Sequence, residues 1–322
     1  MARVGVIDCG TNSIRLLVAD VTEADGGPSS LRDVHREMRI VRLGQGVDAT
    51  GRLAPAAIER TRAALADYTA TLVRNGAERV RMVATSATRD AANTDEFTGM
   101  VRATLGADPE VITGDEEARL SFAGAVADLD PVDGPFLVVD VGGGSTELVL
   151  GEWDGVRATV TAAKSVDVGC VRITERYLRS NPPTTAERAA AQRFVRDVLA
   201  EAFASVPVAR AHTWVGLAGT MTTLSALAQR LPEYDATATH LSRVPVERIR
   251  EVSDDLLAAT HDRIAANPTI HPGRVDVIAG GSLIVRTLAD ELAERAGIGE
   301  LVVSEHDILD GIALSLAASD RH

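Results

Sequence analysis

Two segments of the chain repeat the same pattern without a gap. Residues 6–18 are VIDCGTNSIRLLV, residues 138–150 are VVDVGGGSTELVL, and the offset from residue 8 to residue 140 is 132 throughout. The matching pairs are Asp8 and Asp140, Gly10 and Gly142, and Ser13 and Ser145. Each copy consists of an apolar run, the pattern D-x-G-x-x-S and a second apolar run. Such a repeat indicates a duplication and predicts two halves that are built on the same plan.

The apolar runs on either side of each turn have the length and composition of β-strands. Because only a few residues separate the two runs, each copy is predicted to form an antiparallel hairpin. The pattern is not a P-loop or a dinucleotide-binding GxGxxG motif, since both of those open a helix. A hairpin tip of glycine and hydroxyl residues exposes backbone N–H groups that can hold a phosphate. The two hairpins are therefore predicted to clamp one phosphate chain between them.

Five motifs in a single order make this sequence resemble the Ppx/GppA family of the actin-like ATPase superfamily. They are DCGTNSIRLLV, VATSATRDAAN, TGDEEARLSF, VDVGGGSTEL and GLAGTMTTLSAL. The resemblance extends from residue 4 to about residue 318. Members of this family are exopolyphosphatases and guanosine pentaphosphate phosphohydrolases. The resemblance implies an α/β fold of two duplicated ribonuclease H-like domains with an interdomain cleft.

Domain boundaries follow from the same resemblance. In the superfamily the last helix returns to the first domain, so domain I is expected at 1–116 plus 304–322 and domain II at 117–303. The longer family members carry an additional C-terminal domain of the HD type, and none is expected here. The chain thus resembles the short, two-domain members of the family.

Alternating strand and helix patterns favour an α/β class without reference to any family. Helices are predicted at 55–73, 170–179, 184–204 and 244–259. The segment 276–297 is ambiguous by periodicity alone, and one long helix is the favoured interpretation. Units of strand, turn and helix are predicted at 80–93, 110–129 and 214–229. A strand at 301–305 and a final helix follow.

Asp8 and Asp140 end the first strand of each hairpin. A carboxylate beside a phosphate-binding turn suits Mg²⁺, which binds one or two carboxylates together with phosphate oxygens. The alternative is that each aspartate only caps its own turn. The resemblance adds Glu147 as a residue that holds metal and water. The predicted metal ligands are therefore Asp8, Asp140 and Glu147, with Mn²⁺ as the alternative ion.

The predicted phosphate-binding residues lie at the hairpin tips and at the start of the strands that follow. They are Gly10, Thr11, Asn12, Ser13 and Arg15 in the first copy, and Gly142, Gly143, Gly144, Ser145 and Thr146 in the second. The alternative is a pair of ordinary turns. Arg15 and Glu147 occupy equivalent positions in the repeat. We expect Arg15 to hold phosphate and Glu147 to serve the metal or the water, whereas a plain β-strand would leave Glu147 on the surface.

The resemblance also supplies candidates for catalysis. In TGDEEARL, Glu117 matches the catalytic glutamate of the family, which activates water, and Glu147 joins it in the catalytic set. Glu117 is also in the first turn of a predicted helix, where an acid interacts favourably with the helix dipole, and that role suffices for Asp115 and Glu116. Arg89 resembles a phosphate-contacting arginine of the family.

Two further segments have open interpretations. Thr85 and Ser86 precede Arg89 and have the composition of helix caps. Gly216, Gly219 and Thr220 resemble the nucleotide loop of the superfamily, in which a strand, a glycine turn and a helix N-terminus form an anion site. This loop, with Gly219 and Thr220 as binding residues, is expected to hold a guanosine moiety or more phosphate, or to be only a tight turn.

Charge and composition restrict the partners. The net charge is −13 and aromatic residues make up 3% of the chain, which argues against nucleic acid. An anionic substrate then needs local arginines, backbone N–H groups and a metal ion. Cys9 and Cys170 form no metal-binding or disulfide pattern, and Cys9 is expected to pack. No metal-binding pairing is predicted among His240, His261, His271 and His306.

The N-terminal residues lack the pattern of a signal peptide, and no apolar run has the length of a membrane span. We therefore expect a cytoplasmic protein without a membrane partner. The resemblance to the family suggests a homodimer.

The favoured function is that of a metal-dependent exopolyphosphatase that releases orthophosphate from inorganic polyphosphate. Short chains are favoured because of the negative charge and the expected absence of a further domain. A guanosine pentaphosphate phosphohydrolase, which converts pppGpp to ppGpp, shares every motif and stays an alternative. A non-enzymatic sensor of (p)ppGpp and a small-molecule kinase are alternatives of other classes. The complete set of acids argues against the sensor, and the TGDEEARL element argues against the kinase.

Overall fold

The computed structural model describes residues 2–22, 27 and 29–318, without the side chains of residues 317 and 318. Two compact units make up this part of the chain. Unit 1 contains the described residues up to Ala127, residues 154–158 and those from Asp307 onward, and unit 2 contains Asp128–Trp153 and Thr159–His306. The domain boundaries given above remain predictions, and residues 319–322 of predicted domain I lie outside the described residues.

Strands form one sheet in each unit. Those of unit 1 are β1 (Ala2–Cys9), β2 (Ser13–Thr22), β3 (Ser30–Ile40), β4 (Arg79–Ala84) and β5 (Glu110–Val111). Those of the second sheet are β6 (Phe136–Val141), β7 (Thr146–Trp153), β8 (Ala158–Val166), β9 (Thr213–Leu217), β10 (Arg243–Pro245) and β11 (Glu300–Val303).

Helices alternate with these strands. The first group is α1 (Val47–Thr50), α2 (Pro55–Arg74), α3 (Ser86–Arg89), α4 (Thr94–Leu105) and α5 (Gly114–Val126). The second group, in unit 2, is α6 (Cys170–Tyr177), α7 (Thr185–Ser205), α8 (Ala218–Ala228), α9 (Ala236–Thr239), α10 (Val246–Ala258), α11 (His261–Ala265) and α12 (Ile278–Ala296). The last helix, α13 (Ile308–Ala318), belongs to unit 1. Short 3-10 turns lie at Pro131–Asp133, Val208–Arg210 and Pro272–Arg274.

The two sheets share a plan around their first hairpins. The order is β3-β2-β1-β4-β5 in the first sheet and β10-β11-β9-β6-β7-β8 in the second. In each sheet the first hairpin strand pairs antiparallel with its partner (β1 with β2, β6 with β7) and parallel with a later strand (β4 or β9). The parallel pairs are joined through helices, as such pairs require. The predicted α/β class and the two hairpins of the repeat are thereby confirmed.

The hairpin registers are equivalent as well. Asp8 lies opposite Arg15, and Asp140 lies opposite Glu147. Each tip is closed by the same backbone hydrogen bond. The N–H of Gly10 donates to Ser13 at 2.9 Å, and that of Gly142 donates to Ser145 at 3.0 Å.

Both faces of the first sheet are buried, which explains why β1 is an almost continuous apolar run. Ile7 lies in a core cluster with side chains of α2 and α4. Val4 and Val6 lie in a second cluster, which includes Ile312 of α13. Because successive strand residues point to opposite faces, a single strand contributes to two cores.

Some of the predicted elements are confirmed by the structure, and others need correction. The segment 276–297 is confirmed as one long helix, α12, and the predicted helix at 55–73 is α2. In contrast, the strand predicted at the start of 110–129 is only the two-residue β5. The helix α4 and the short strand β10 were not predicted. The helix predicted at 244–259 included Val244 and Pro245, which belong to β10 and pair with β11.

Within the described residues, no helix combines the length and the apolar character needed to cross a membrane.

Candidate functional site

The first hairpin places two charged side chains side by side in unit 1. Asp8 is 3% exposed at the end of β1, and Arg15 lies opposite it on β2. The Arg15 guanidinium donates to Asp8 Oδ2 through Nη2 at 2.6 Å and through Nε at 3.0 Å. Arg15, which the sequence analysis assigned to phosphate, thus contacts the predicted metal ligand of its own hairpin.

Asp307 completes this arrangement and was not found from the sequence. Its Oδ2 accepts a hydrogen bond from Arg15 Nη1. Its Oδ1 accepts one from the N–H of Leu309 at 2.9 Å, which caps the first turn of α13. The Asp307 N–H in turn donates to Asp310 Oδ2 at 2.8 Å. The spacing of these two aspartates in SEHDILDG indicates a helix start, but no local pattern indicates a contact with Arg15.

Two glycines bring the helices of this arrangement close together. A Cβ added at Gly124 of α5 would lie 1.9 Å from the backbone oxygen of Asp307. One added at Gly311 of α13 would lie 1.9 Å from the backbone oxygen of Leu120. Only glycine permits so close an approach between backbones. The packing of α5 against α13 therefore positions the carboxylate that receives Arg15.

The remaining oxygen of Asp8 fits a metal ligand. Oδ1 is buried and has no hydrogen-bond partner among the described residues, so it does not cap the turn. Burial raises the pKa of Asp8, and the neighbouring Arg15 opposes this effect. A buried carboxylate oxygen without a partner is costly unless a cation or a donor approaches it. This oxygen is the observation that favours a cation at Asp8.

The tip of the first hairpin is held by the segment that follows β3. The Thr11 carbonyl accepts the N–H of Gly44 at 2.8 Å, and the Asn12 carbonyl accepts those of Val41 and Arg42 at 3.0 and 2.9 Å. A Cβ at Gly44 would lie 2.3 Å from the methyl carbon of Thr11. The tip thus has a defined conformation, and the side-chain oxygen of Asn12 is buried without a partner among the described residues.

Arg89 and Glu117 form a second ion pair in unit 1. Arg89 ends α3, and its Nη1 donates to Glu117 Oε2 at 2.7 Å and to the Ile112 carbonyl at 3.0 Å. The Glu117 side chain is only 12% exposed. Its pKa is raised by burial, against the effect of Arg89. The two residues that the resemblance assigned to catalysis are therefore in direct contact.

The neighbouring acids have other roles. Thr113 caps α5 by accepting the N–H of Glu116 at 3.2 Å. Glu116 contacts Arg81 at 2.8 Å, and Asp115 contacts Arg119 at 3.2 Å. These contacts agree with the interpretation of both acids as ordinary first-turn residues.

The proposed cap at α3 is wrong. Thr85 is the residue before the helix, and its side chain makes no capping hydrogen bond. Instead, the hydroxyl oxygens of Ser86 and Thr88 are buried and have no hydrogen-bond partner within the described chain. They lie in the short helix that ends at Arg89.

In unit 2 the tip of the second hairpin rests on the N-terminus of α6. The N–H of Cys170 donates to the Gly142 carbonyl at 2.9 Å, and the N–H of Val171 donates to the Gly143 carbonyl at 2.9 Å. The side chain of Arg172 donates from Nε to the Gly144 carbonyl at 2.8 Å. These bonds use the three glycine carbonyls and fix the orientation of the peptide groups. Arg172 was not among the residues predicted from the sequence.

Close approach at this tip requires another glycine. A Cβ on Gly169, the residue before α6, would lie 2.4 Å from the carbonyl of Gly143. Gly169 therefore allows the helix to meet the turn. Next to it, Thr146 Oγ1 donates to the Val168 carbonyl at 2.5 Å, so this predicted phosphate ligand is engaged by the backbone.

Asp140 and Glu147 are buried carboxylates on the two strands of the second hairpin. Asp140 is 7% exposed and Glu147 is 1% exposed. The alternative that Glu147 is a surface residue is therefore wrong. Ser165 Oγ on β8 donates to Glu147 Oε1 at 2.7 Å, a contact that the sequence analysis missed. Buried carboxylates held in this way suit a divalent cation.

The strand and the helix predicted around Gly219 are present as β9 and α8, but α8 follows β9 directly, and Gly219 is the second residue of the helix rather than part of a separate turn. Arg274 covers the start of α8 and donates to the Gly219 carbonyl at 3.2 Å and to Thr223 at 3.1 Å. A Cβ on Gly219 would lie 2.2 Å from the Arg274 guanidinium carbon. The glycine is thus needed for contact with Arg274, and its role and that of Thr220 in ligand binding stay predictions.

Two of the histidines lie together with an aspartate, a group that the sequence analysis did not predict. His240 and His306 meet Asp128 in unit 2, and their ligand atoms all lie within 4.8 Å of one another. His306 Nδ1 is 2.6 Å from Asp128 Oδ2, and His240 Nε2 is 3.4 Å from the same oxygen. The two histidines lower the pKa of Asp128 by hydrogen bonding. The residues are too far apart in the sequence for their spacing to reveal the group.

The two cysteines are buried, and for Cys9 this agrees with the expected packing role. Burial raises the pKa of the Cys9 thiol, and it raises that of Cys170 to about 11. Neither is a thiolate at neutral pH, which argues against a nucleophilic role.

Comparison with known proteins gives a consistent result. Residues 17–316 match the model of the Ppx/GppA phosphatase family. The chain is 60% identical over 322 aligned residues to Exopolyphosphatase 2 of Mycobacterium tuberculosis, and the match covers 98% of this chain and 99% of that protein.

Solved structures show the same likeness. The crystal structure of an exopolyphosphatase-like protein is 42% identical with a TM-score of 0.92, and the match covers 99% of each chain. The Aquifex aeolicus member of the Ppx/GppA family is 31% identical with a TM-score of 0.78, over 100% of this chain and 99% of that one. These matches confirm the actin-like ATPase fold that the motifs implied.

Proposed function

Because the chain belongs to the Ppx/GppA phosphatase family, we propose that it is an exopolyphosphatase, a hydrolase that removes the terminal phosphate of inorganic polyphosphate. The oxygen of a water molecule attacks the terminal phosphorus, and the bond from that phosphorus to the bridging oxygen breaks. The bridging oxygen retains the electron pair on the shortened chain. The products are orthophosphate and a polyphosphate that is one residue shorter.

One observation carries this proposal. The Mycobacterium tuberculosis protein with 60% identity over nearly the full length of both chains is named Exopolyphosphatase 2. From this relative, polyphosphate is the substrate class we assign. The alternative function, hydrolysis of guanosine pentaphosphate, is not favoured, since the relative named here is an exopolyphosphatase.

We assign Glu117 as the residue that orients the attacking water and accepts its proton. Its burial raises its pKa toward the range in which a carboxylate is an effective base. Arg89 holds one carboxylate oxygen at 2.7 Å and so limits the rotation of the group. This contact supports a second role for Arg89, in which its positive charge interacts with the terminal phosphate.

As ligands of a divalent cation, Mg²⁺ or, as the alternative, Mn²⁺, we propose Asp8 in unit 1 and, in unit 2, Asp140 and Glu147. The buried Asp8 oxygen without a partner in the described chain and the two buried carboxylates of the second hairpin fit that role. When bound, such an ion neutralises the negative charge of phosphoryl oxygens.

Phosphate binding is assigned to the two hairpin tips, with Arg15 as the cation of the first. Its contacts with Asp8 and Asp307 hold the guanidinium in a fixed position beside Asp8. We further propose a preference for short polyphosphates, because a net charge of −13 repels long polyanions. A cytoplasmic location and a homodimer are also proposals, and the homodimer comes from the family resemblance.

The test is an assay of orthophosphate release by the purified full chain with Mg²⁺. Polyphosphates of defined length, from tripolyphosphate upward, are compared with guanosine pentaphosphate at equal concentration. We expect release from polyphosphate with the highest kcat/KM on short chains. Release from the nucleotide alone would overturn the assignment. Binding of either ligand without any release would instead support the non-enzymatic alternative.

A further inference from the structure

We propose that Asp128, His240 and His306 form a binding site for a divalent transition-metal ion such as Zn²⁺. This group, which we call the DHH cluster, contains none of the residues assigned to polyphosphate hydrolysis. The inference therefore does not depend on the proposed function. Its three ligand atoms are a carboxylate oxygen and two imidazole nitrogens, and all of them lie within 4.8 Å of one another.

The geometry directs both imidazoles at the same carboxylate oxygen. His306 Nδ1 lies 2.6 Å from Asp128 Oδ2, and His240 Nε2 lies 3.4 Å from it. The ring centroids are 4.7 Å apart with an interplanar angle of 43°. The side chains are 42%, 25% and 36% exposed for Asp128, His240 and His306, so an ion can reach them from solvent.

The backbone around both histidines is fixed. His240 follows α9, and the next residue, Leu241, donates its N–H to the Val303 carbonyl at 2.7 Å. The His306 N–H donates to Ser304 Oγ at 3.0 Å, and the Ser304 hydroxyl donates to the His306 carbonyl at 2.8 Å. The segment that follows His240 is thus hydrogen-bonded to β11, and the segment that carries His306 is closed by its own hydrogen bonds. A site on such a support loses little order when an ion binds.

The donor set selects the class of ion. Two imidazole nitrogens and one carboxylate oxygen are ligands that Zn²⁺ accepts in a tetrahedral site, in which solvent takes the fourth position. Mg²⁺ prefers oxygen ligands in an octahedral arrangement and binds such a set poorly. The DHH cluster is therefore expected to distinguish Zn²⁺ from the Mg²⁺ assigned to the carboxylate residues.

One hydrogen bond of His240 would be lost when an ion binds, and its loss can be measured. The N–H of Glu305 donates to His240 Nδ1 at 3.2 Å, so the metal-free neutral ring carries its proton on Nε2. An ion at Nε2 moves that proton to Nδ1 and releases the Glu305 N–H to solvent. This change breaks one long hydrogen bond, and the free energy gained from the metal–nitrogen bond exceeds the free energy lost with it. Metal binding is thus predicted to change the tautomer of His240.

The site also has a defined place along the chain. Asp128 is the first residue of unit 2 and His306 is its last. An ion would therefore join the first and the last residue of this unit. We expect a structural role, in which bound Zn²⁺ raises the thermal stability of the protein by mass action.

The experiment uses the full chain after removal of metal with a chelator, with ZnCl₂ as the probe. Titration calorimetry is expected to show one site that is lost in His240→Gln, His306→Gln and Asp128→Asn. Each change should weaken binding by more than the roughly 10- to 100-fold that loss of an outer partner costs. The control is His261→Gln, since His261 is exposed and outside the cluster.

A second measurement uses the unsubstituted chain and so does not depend on whether any variant folds. Long-range ¹H–¹⁵N NMR spectra of the unsubstituted chain should show the proton of His240 on Nε2 without metal and on Nδ1 with Zn²⁺. Mg²⁺ at the same concentration should leave the tautomer unchanged. The proposal is overturned if Zn²⁺ leaves the His240 tautomer unchanged, or if His261→Gln weakens binding as much as the cluster variants do.

Discussion

Arg15 of β2 forms an ion pair with Asp307, which lies 292 residues later in the chain. The same guanidinium also contacts Asp8, so one cation joins two carboxylates of unit 1. Asp307 meanwhile caps α13 through its other oxygen. The position of the returning helix thus controls the position of a predicted phosphate-binding side chain. We infer that Asp307 is a positioning residue for Arg15.

Replacement of Asp307 by Asn tests this relationship. The Asn side chain retains an oxygen that can cap α13, but it loses the charge that holds Arg15. We expect a rise in KM for polyphosphate with a smaller change in kcat, and a loss of about 1–3 kcal/mol in the free energy of unfolding. Steady-state kinetics and urea denaturation measure the two effects.

Asp310→Asn is the matched control for this variant. Asp310 lies in the same helix turn and pairs with Arg36, which has no assigned role in the site. It should lose stability to a similar degree and keep the KM of the parent chain. Equal KM values in all three proteins would show that Asp307 only caps the helix.

Arg15→Ala should raise KM for polyanions by roughly 10- to 100-fold, which corresponds to loss of a hydrogen bond to a charged group. The effect on a small phosphate ester should be weaker, because such a substrate makes fewer phosphate contacts. Kinetics on tripolyphosphate and on p-nitrophenyl phosphate give the comparison. An equal rise for both substrates would count against Arg15 as a phosphate-binding residue.

Glu117→Gln should lower kcat by about 10²- to 10⁴-fold, since the amide cannot accept a proton from water. In the parent chain, activity should increase as the pH rises through the raised pKa of Glu117, because only the ionised carboxylate is a base. The residual activity of the variant should lack this increase. Glu116→Gln, which removes the contact with Arg81, serves as the control and should keep the parent pH profile.

The same pKa shift predicts a pH-dependent difference in stability. Burial raises the pKa of Glu117 in the folded state, so the folded protein binds a proton that the unfolded chain has already released. The stability that this group contributes is present below its unfolded pKa, near 4.3, and is lost as pH rises through the folded value. Glu117→Gln should therefore become more stable relative to the parent as pH increases. Thermal unfolding of both proteins across this range checks the sign, and a constant difference would contradict it.

Asp140→Asn tests a proposed metal ligand of the second hairpin, and Ser165→Ala tests a hydrogen bond to another one, Glu147. Asp140→Asn should reduce metal-dependent turnover by orders of magnitude while the chain stays folded, because a carboxylate ligand is lost. Ser165→Ala removes the hydroxyl that donates to Glu147 at 2.7 Å and should weaken the apparent affinity for Mg²⁺ by about 10-fold. Activity measured against Mg²⁺ concentration gives both values.

The control for Ser165 is Thr161→Ala, an exposed position on the same strand. It should leave the Mg²⁺ dependence unchanged. A near-normal rate in Asp140→Asn would refute its role as a metal ligand, whatever the result for Ser165.

The sequence by itself determined the local parts of this protein. The length and composition of the apolar runs and the short gap between them specified both hairpins, and the repeat placed Asp8 and Asp140 at equivalent strand ends. A long amphipathic segment specified α2, whereas the segment that forms α12 was ambiguous by periodicity alone. These features depend on neighbours within a few residues, and such patterns are visible in a single sequence.

Only the tertiary structure decided which side chains meet. The pair of Arg15 with Asp307 depends on the close packing of α5 and α13 at Gly124 and Gly311. Ser165 reaches Glu147 only because β8 lies beside β7 in the sheet. The DHH cluster likewise joins residues from three separate segments. No periodicity relates such residues, because backbone packing rather than sequence spacing sets the distance between them.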